Sequence, residues 1–183
     1  ISKNKLLKTL ILILLISFDL CMAQNAYNIN DIMKEEDLYI HKNSKKIISG
    51  EVYTYLDKKH LLMGSLLKGK KNGPWVTWFK DGHRLEENFH NGLVDGMMCL
   101  FYKNGQKKWR HTYKSGSRDG LTTHWSINGE KIKEGTFING DSIGIWNYWN
   151  EFGELIKQKQ FRERKKSLDI DSRSYIFKED IID

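Results

Sequence analysis

The sequence predicts an all-β fold, an elongated antiparallel β-hairpin repeat, or β-meander, of about five units of 23–24 residues. Three observations carry this expectation. Glycines recur in register: Gly73, Gly96, Gly120 and Gly144 open successive units, Gly82, Gly105, Gly129 and Gly153 stand mid-unit, and Gly69, Gly92, Gly116 and Gly140 close the unit before. Aromatics recur with them. Tyr55, Trp78, Phe101, Trp125 and Trp149 follow an opening glycine, Gly50 included, by five positions, and Phe89, Tyr113, Phe137 and Phe161 precede the next opening position by seven. Finally, the chain holds one proline, Pro74, as suits regular strands joined by short turns.

The elements follow in order. Lys3, Lys5 and Lys8 precede an apolar run from Thr9 to Phe18 and the group Cys21-Met22-Ala23, so residues 1–23 read as a signal peptide cleaved after Ala23. Asp19 ends that run short of a membrane-spanning length, and no transmembrane helix is expected after cleavage. Phe18, Asp19 and Leu20 are not the small residues that an acylated cysteine at Cys21 requires. Cleavage lowers the net charge from +7 to +5 and leaves Cys99 as the lone cysteine, so packing and strand pairing must hold the exported chain without an internal disulfide.

Residues 24–49 read as a lead-in and cap. Asn30-Asp31 is expected to cap a short helix, and Leu38–Ile40 and Lys46–Ile48 to form a hairpin about Asn43-Ser44. Residues 50–161 hold the repeats, the first degenerate, with Lys59 at the mid-unit glycine position. Asp81-Gly82, Asn104-Gly105, Asn128-Gly129 and Phe152-Gly153 read as tight hairpin turns, and Asn91-Gly92 and Asn139-Gly140 as turns on the opposite edge. All of the repeat glycines are read as turn residues. Residues 162–183 read as a charged tail with a short capping strand at Tyr175–Phe177.

Strand alternation puts the fifth-position aromatic on one face with the third position: Tyr53 with Tyr55, Val76 with Trp78, Cys99 with Phe101. These aromatics are expected to line up as a ladder between repeats. The opposite face carries Val52, Trp75, Met98 and Trp146 but also Thr122 and His124, and is expected to be the wetter one.

The run Gly73-Pro74-Trp75-Val76-Thr77-Trp78-Phe79-Lys80-Asp81-Gly82, with Glu86, Phe89, Asn91-Gly92 and Asp95-Gly96 after it, resembles the bacterial variant of the MORN repeat. The chain from about residue 37 to 161 is similar to YwqK-family antitoxins, as is the lead-in from Leu38-Tyr39 to Ser49-Gly50-Glu51-Val52-Tyr53. The resemblance implies a MORN-like meander without catalytic activity or cofactor, and an unidentified protein partner.

Motifs of chemistry are sparse. His41, His60, His83, His90, His111 and His124 form no zinc-ligand pattern, so no metal site is expected, and they read as surface or sheet-face residues. Glu86-Glu87 and Glu130 with Glu134 are paired carboxylates, but an open sheet offers no cleft to hold them across a substrate. Cys99 lies on a strand without an evident base, so no catalytic residue is assigned. Gly69-Lys70-Lys71-Asn72-Gly73 lacks the spacing and ending of a phosphate loop. Lysines and arginines are spread through turns, which argues against nucleic acid and leaves a general attraction to anionic surfaces. Most of the six tryptophans read as ladder core. Trp75, Trp146 and Tyr148, on the wetter face, form the candidate binding surface for a protein or an envelope glycan. The expected protein is an exported, periplasmic, envelope-associated or secreted non-catalytic module that binds protein. The alternative is a module binding glycan or an anionic surface through aromatic and basic side chains.

Overall fold

The structure, a computed structural model, describes residues 25–162. The signal-like segment and the expected capping strand at 175–177 lie outside the described residues. The described chain is all-β, an antiparallel meander of hairpins apart from one parallel pairing near its start. Its residues fall into two compact units that divide between Lys70 and Lys71.

In the first unit, β1 (Ala26–Asn28) runs parallel to β4 (Gly50–Leu56), and β2 (Ile32–Glu35) forms a hairpin with β3 (Leu38–His41). β4 pairs antiparallel with β5 (Lys59–Leu67) through a two-residue turn at Asp57 and Lys58, both at positive φ. Ile32, Ile40, Ile48, Val52 and Leu66 are its buried apolar residues. One expectation for the lead-in is corrected. The helical piece is a 3-10 turn at Ile29–Asp31 capped by Asn28, whose side chain accepts from Asn30 N–H at 2.9 Å, and Ile32-Met33 begins a strand instead. The expected hairpin about Asn43-Ser44 is present in short form: Lys45 N–H donates to His41 O and His41 N–H to Lys46 O, both at 2.9 Å, Ile48 N–H reaches Tyr39 O at 3.3 Å, and Ile40 and Ile47 bridge antiparallel. Leu38–His41 pairs on its other side with β2, through a turn at Glu36-Asp37 that the sequence did not signal. Glu36 takes a φ of 52° without any glycine or asparagine to signal it.

The second unit is built from β6 (Lys70–Trp78), which starts at the boundary, β7 (Arg84–His90), β8 (Leu93–Val94), β9 (Gly96–Phe101), β10 (Lys107–Lys114), β11 (Ser117–Arg118), β12 (Gly120–Trp125), β13 (Lys131–Ile138), β14 (Asp141–Trp149) and β15 (Leu155–Phe161). They pair antiparallel in the order β6-β7-β9-β10-β12-β13-β14-β15, with β8 on β7 and β11 on β10. Among the described residues this unit has no element outside its sheet.

The two edges of the sheet use different turns. At Asn91-Gly92, Ser115-Gly116 and Asn139-Gly140 both residues have positive φ, the two-residue turn whose twist matches paired strands. On the other edge the tight-turn reading needs correction. At Gly82, Gly105, Gly129 and Gly153 only the glycine has positive φ. Its N–H bonds back three residues, as Gly82 N–H does to Phe79 O at 3.0 Å, and Phe79 N–H then reaches His83 O at 3.0 Å. That is a three-residue loop ending in a left-handed residue, where glycine avoids a Cβ clash.

The opening glycines are also corrected. They are not turn residues but mark irregularities within the strands. β14 runs through Gly144 (φ 66°), and its register against β13 slips between Glu134 and Thr136. Asp95 and Asp119 interrupt the strands just before Gly96 and Gly120. A bulge of this kind needs a residue that accepts positive φ, and it sharpens strand twist.

The residue before three of the four opening glycines, Gly73, Gly96 and Gly120, does further work. Asn72 Oδ1 accepts from Asn91 N–H (3.3 Å), Asp95 Oδ2 from Ser115 N–H (3.1 Å) and Asp119 Oδ2 from Asn139 N–H (3.2 Å). The glycine that follows in each turn donates to the preceding repeat as well: Gly92 to Lys71 O, Gly116 to Val94 O and Gly140 to Arg118 O. In the first unit Ser49 Oγ accepts from Lys68 N–H (2.8 Å), and Gly69 donates to Ile48 O. Both amides of each turn are thus satisfied by the repeat before it, which couples neighbours.

Asp95→Ala and Asp119→Ala are expected to lower stability in urea unfolding by about 1 kcal/mol each, the net worth of a hydrogen bond to an ordered backbone amide. Asp→Asn at either site should retain most of it. Alanine variants as stable as the parent would contradict the coupling.

Candidate functional site

Cross-strand register defines the two faces of the second unit's sheet. Opposed residues share a face, so one face carries the row Met98, His111, Thr122, Gly135, Trp146, Lys159, and beside it Leu100, Trp109, His124, Lys133, Tyr148, Lys157. A third row on this face holds Tyr113, Phe137 and Phe161 opposite the opening glycines. The other face carries Cys99, Arg110, Thr123, Glu134, Asn147 and Gln158.

The candidate binding surface is corrected at two of its three residues. Trp75 and Trp146, expected on the wetter face, are each only 2% exposed. The Trp146 indole lies over Gly135, where an added Cβ would overlap the ring. Phe137 and Phe161 pack edge-on to it at 5.0 and 5.6 Å, and the Lys133 ammonium sits 4.8 Å from its centroid. Trp75 lies opposite Glu87 with Lys71 Nζ at 4.2 Å from its ring, and the same ammonium is 4.7 Å from buried Phe89. A second-position residue sits mid-strand with side chains on every side. A fifth-position residue adjoins the turn and has fewer neighbours. Tyr148 remains half-buried, with Lys133 Nζ 5.5 Å from its ring.

The expected aromatic ladder is corrected too. Each repeat contributes two strands, so equivalent rings lie about 9.6 Å apart, beyond contact. The strand between fills the gap with a cation. Arg84 stands opposite both Trp78 and Phe101, its guanidinium 5.5 and 4.3 Å from their rings. Arg110 lies 6.0 Å from Trp125 and Lys131 5.3 Å from Trp149. The edge-row rings also take cations, Arg118 at 5.1 Å on Phe137 and Lys159 at 4.9 Å on Phe161, while Arg118 Nε donates to Tyr113 Oη at 3.4 Å. In the first unit Tyr55, 57% exposed, instead packs edge-on to Tyr53 and His60.

Not every histidine is a surface residue. His111 is buried, stacked on Trp109 at 4.4 Å, edge-on to His124 at 5.2 Å, and hydrogen-bonded to Thr122 Oγ1 through Nδ1. Burial first, then Arg118, His124 and Lys133, pull its pKa down to about 4. Burial and the same Lys133 and Arg118 charges lower His124, and burial with Arg118 lowers Lys133. Burial pushes the Cys99 thiol up, away from nucleophilic use. Among the described residues no three His, Cys, Asp or Glu side chains gather to hold a metal ion, and no helix is long and apolar enough to cross a membrane.

What sequence reasoning missed is the partnership of strands. Gly135, Arg84, Lys131 and Lys133 act through the residue opposite or beside them, which period-two alternation within one strand does not name. The Asn72, Asp95 and Asp119 couplings were readable as a polar residue recurring just before an opening glycine.

No protein-family model and no curated protein matches the chain.

The histidine pair gives a pH dependence with a fixed sign. Above pH 6.5 His111 is neutral folded or unfolded, and its packing contributes fully; between 6.5 and about 4 only the unfolded chain takes up the proton. Stability is therefore expected to fall by roughly 3 kcal/mol across that window, with His124 adding in the same direction. Urea unfolding at stepped pH checks it: His111→Asn should flatten the slope, and an unchanged slope would contradict the assignment.

Proposed function

We propose that this chain is a non-catalytic, exported repeat protein that works as a protein-interaction or scaffold module, as its resemblance to YwqK-family antitoxins implies. The observation that supports this most is a row of apolar side chains left open on the face opposite Trp146. Met97, Leu121 and Ile145 are 60%, 39% and 55% exposed, one from each of three successive repeats. Thr112 and Thr136 stand opposite the first two, and Gln160 opposite Ile145.

A single exposed apolar side chain is ordinary, but an aligned set at two-strand intervals makes a contact patch. Its aliphatic and thioether groups, set among threonines, suit a protein surface better than a sugar, which stacks on rings. The burial of Trp75 and Trp146 leaves less aromatic surface for such stacking. Export rests on the basic residues Lys3, Lys5 and Lys8 ahead of the apolar run from Thr9 to Phe18.

Site-specific photocrosslinking in the producing cell tests the reading. A photoreactive residue at Leu121 or Ile145 of the full chain is expected to give one discrete protein adduct, and the same probe at Asn104 or Asn128, in the turns, none. Met97→Glu should abolish the adduct formed from position 121. Equal labelling from the turns, or no adduct from the row, would overturn the assignment.

A further inference from the structure

The face that buries Trp146 has a charge pattern that the protein-binding reading does not use. In its three rows from β9 to β15 the register places Lys133, Lys157, Lys159, His111 and His124, and no carboxylate. Arg118 adds its guanidinium beside Phe137. The carboxylate of β13, Glu134, lies on the opposite face with Arg110 and bonds there to Lys131 at 2.9 Å and Thr123 Oγ1 at 3.2 Å. From β9 to β15 the Trp146 face is thus cationic while the opposite face mixes both signs; the carboxylate Glu87 of β7, opposite Trp75, stands beyond these rows.

From β9 to β15, donors exceed acceptors on this face. His124, Lys133, Tyr148 and Lys157 are consecutive cross-strand neighbours, so an imidazole, an ammonium, a phenol and a second ammonium form one line across four strands. Trp109, stacked on His111, extends the line by a further strand. The whole row spans roughly 19 Å at the usual strand spacing. His124, Lys133, Tyr148 and Trp109 are half-buried and Lys157 is exposed, so the row is fixed at its centre and open at its end. The buried Nε1–H of Trp146, beneath Lys133, also has no acceptor.

The geometry points to a binding site for an anionic polysaccharide, a sugar chain bearing carboxylate or sulfate groups, along Trp109, His124, Lys133, Tyr148 and Lys157. Lys133 and Lys157 would pair with its charged groups, His124 and Tyr148 would donate to oxygens, and the exposed parts of the Trp109 and Tyr148 rings would take a sugar face. Charge complementarity sets the sign of the ligand. From Trp109 to Lys157 the line holds no aliphatic residue, and the exposed Met97, Leu121 and Ile145 lie on the other face, so the line itself lacks the aliphatic anchors that an acidic peptide would use.

Calorimetry with the full chain tests the site, using oligosaccharides of heparin and of polygalacturonate as probes, dextran as the neutral control and polyglutamate as the acidic peptide. Both anionic sugars should bind and dextran should not. Lys133→Gln, Lys157→Gln and Tyr148→Ala should each weaken binding about tenfold, in line with loss of a charge-assisted contact. Lys80→Gln and Lys103→Gln, in the turns, should leave it unchanged. Lys157 is exposed, so its variant reports on binding without disturbing the sheet. The proposal is overturned by absence of binding, by equal loss from the turn variants, or by polyglutamate binding as tightly as the sugars.

Discussion

Among its described residues the second unit has no element outside its sheet, so each strand must find cover for its apolar groups on the sheet's own surface. Trp146 shows how this is met. Its ring lies over Gly135, the residue without a side chain, and is enclosed by Phe137, Phe161 and the Lys133 ammonium. Trp75 is covered by the same means, with Lys71 reaching both it and Phe89. Long basic side chains reaching over the rings give this sheet cover without a second layer, at the cost of partial desolvation of the Lys133 ammonium. The alternation of rings and cations on both faces follows from that constraint.

A sheet of this kind is also only as cooperative as the joints between its repeats. The two turn types divide the labour. On one edge the three-residue loops close locally. On the other, both amides of the two-residue turn are received by the preceding repeat, through a carbonyl and through Asn72, Asp95 or Asp119. Links between repeats occur at the loop edge too: Tyr102 Oη donates to Trp125 O at 3.0 Å and Asn104 Nδ2 to Ile127 O at 3.1 Å. Stability in repeat proteins resides largely in such nearest-neighbour terms, which leaves the outward side chains of each repeat free to vary with what is bound.

Much of the fold was legible because glycine marks backbone, and backbone sets the meander. The hairpins, their step and the Asn91-Gly92 and Asn139-Gly140 turns can be read from the residues. Asn104-Gly105 was misjudged because the same dipeptide serves two loops that differ only in how many residues lie between paired strands. The faces were misjudged for a different reason. Alternation shows that Trp75 and Trp146 share a face with Thr122 and His124, and those polar residues made the face look wet. Thr122 is nonetheless 1% exposed, its hydroxyl bonded to His111 and to Arg110 O. Which face is covered depends on residues one strand away, and their register is not written in any one strand.

The packing of Trp146 on Gly135 can be tested by a double-mutant cycle in urea unfolding, with Gly135→Ala, Trp146→Ala and both together. The account predicts that Gly135→Ala alone destabilises by about 1–3 kcal/mol or more, as overpacking does. In the Trp146→Ala background the same change should be neutral or stabilising, because φ at Gly135 is not in the left-handed region and the crowding ring is gone. Additive effects of the two substitutions would contradict the claim that the ring is seated on the glycine.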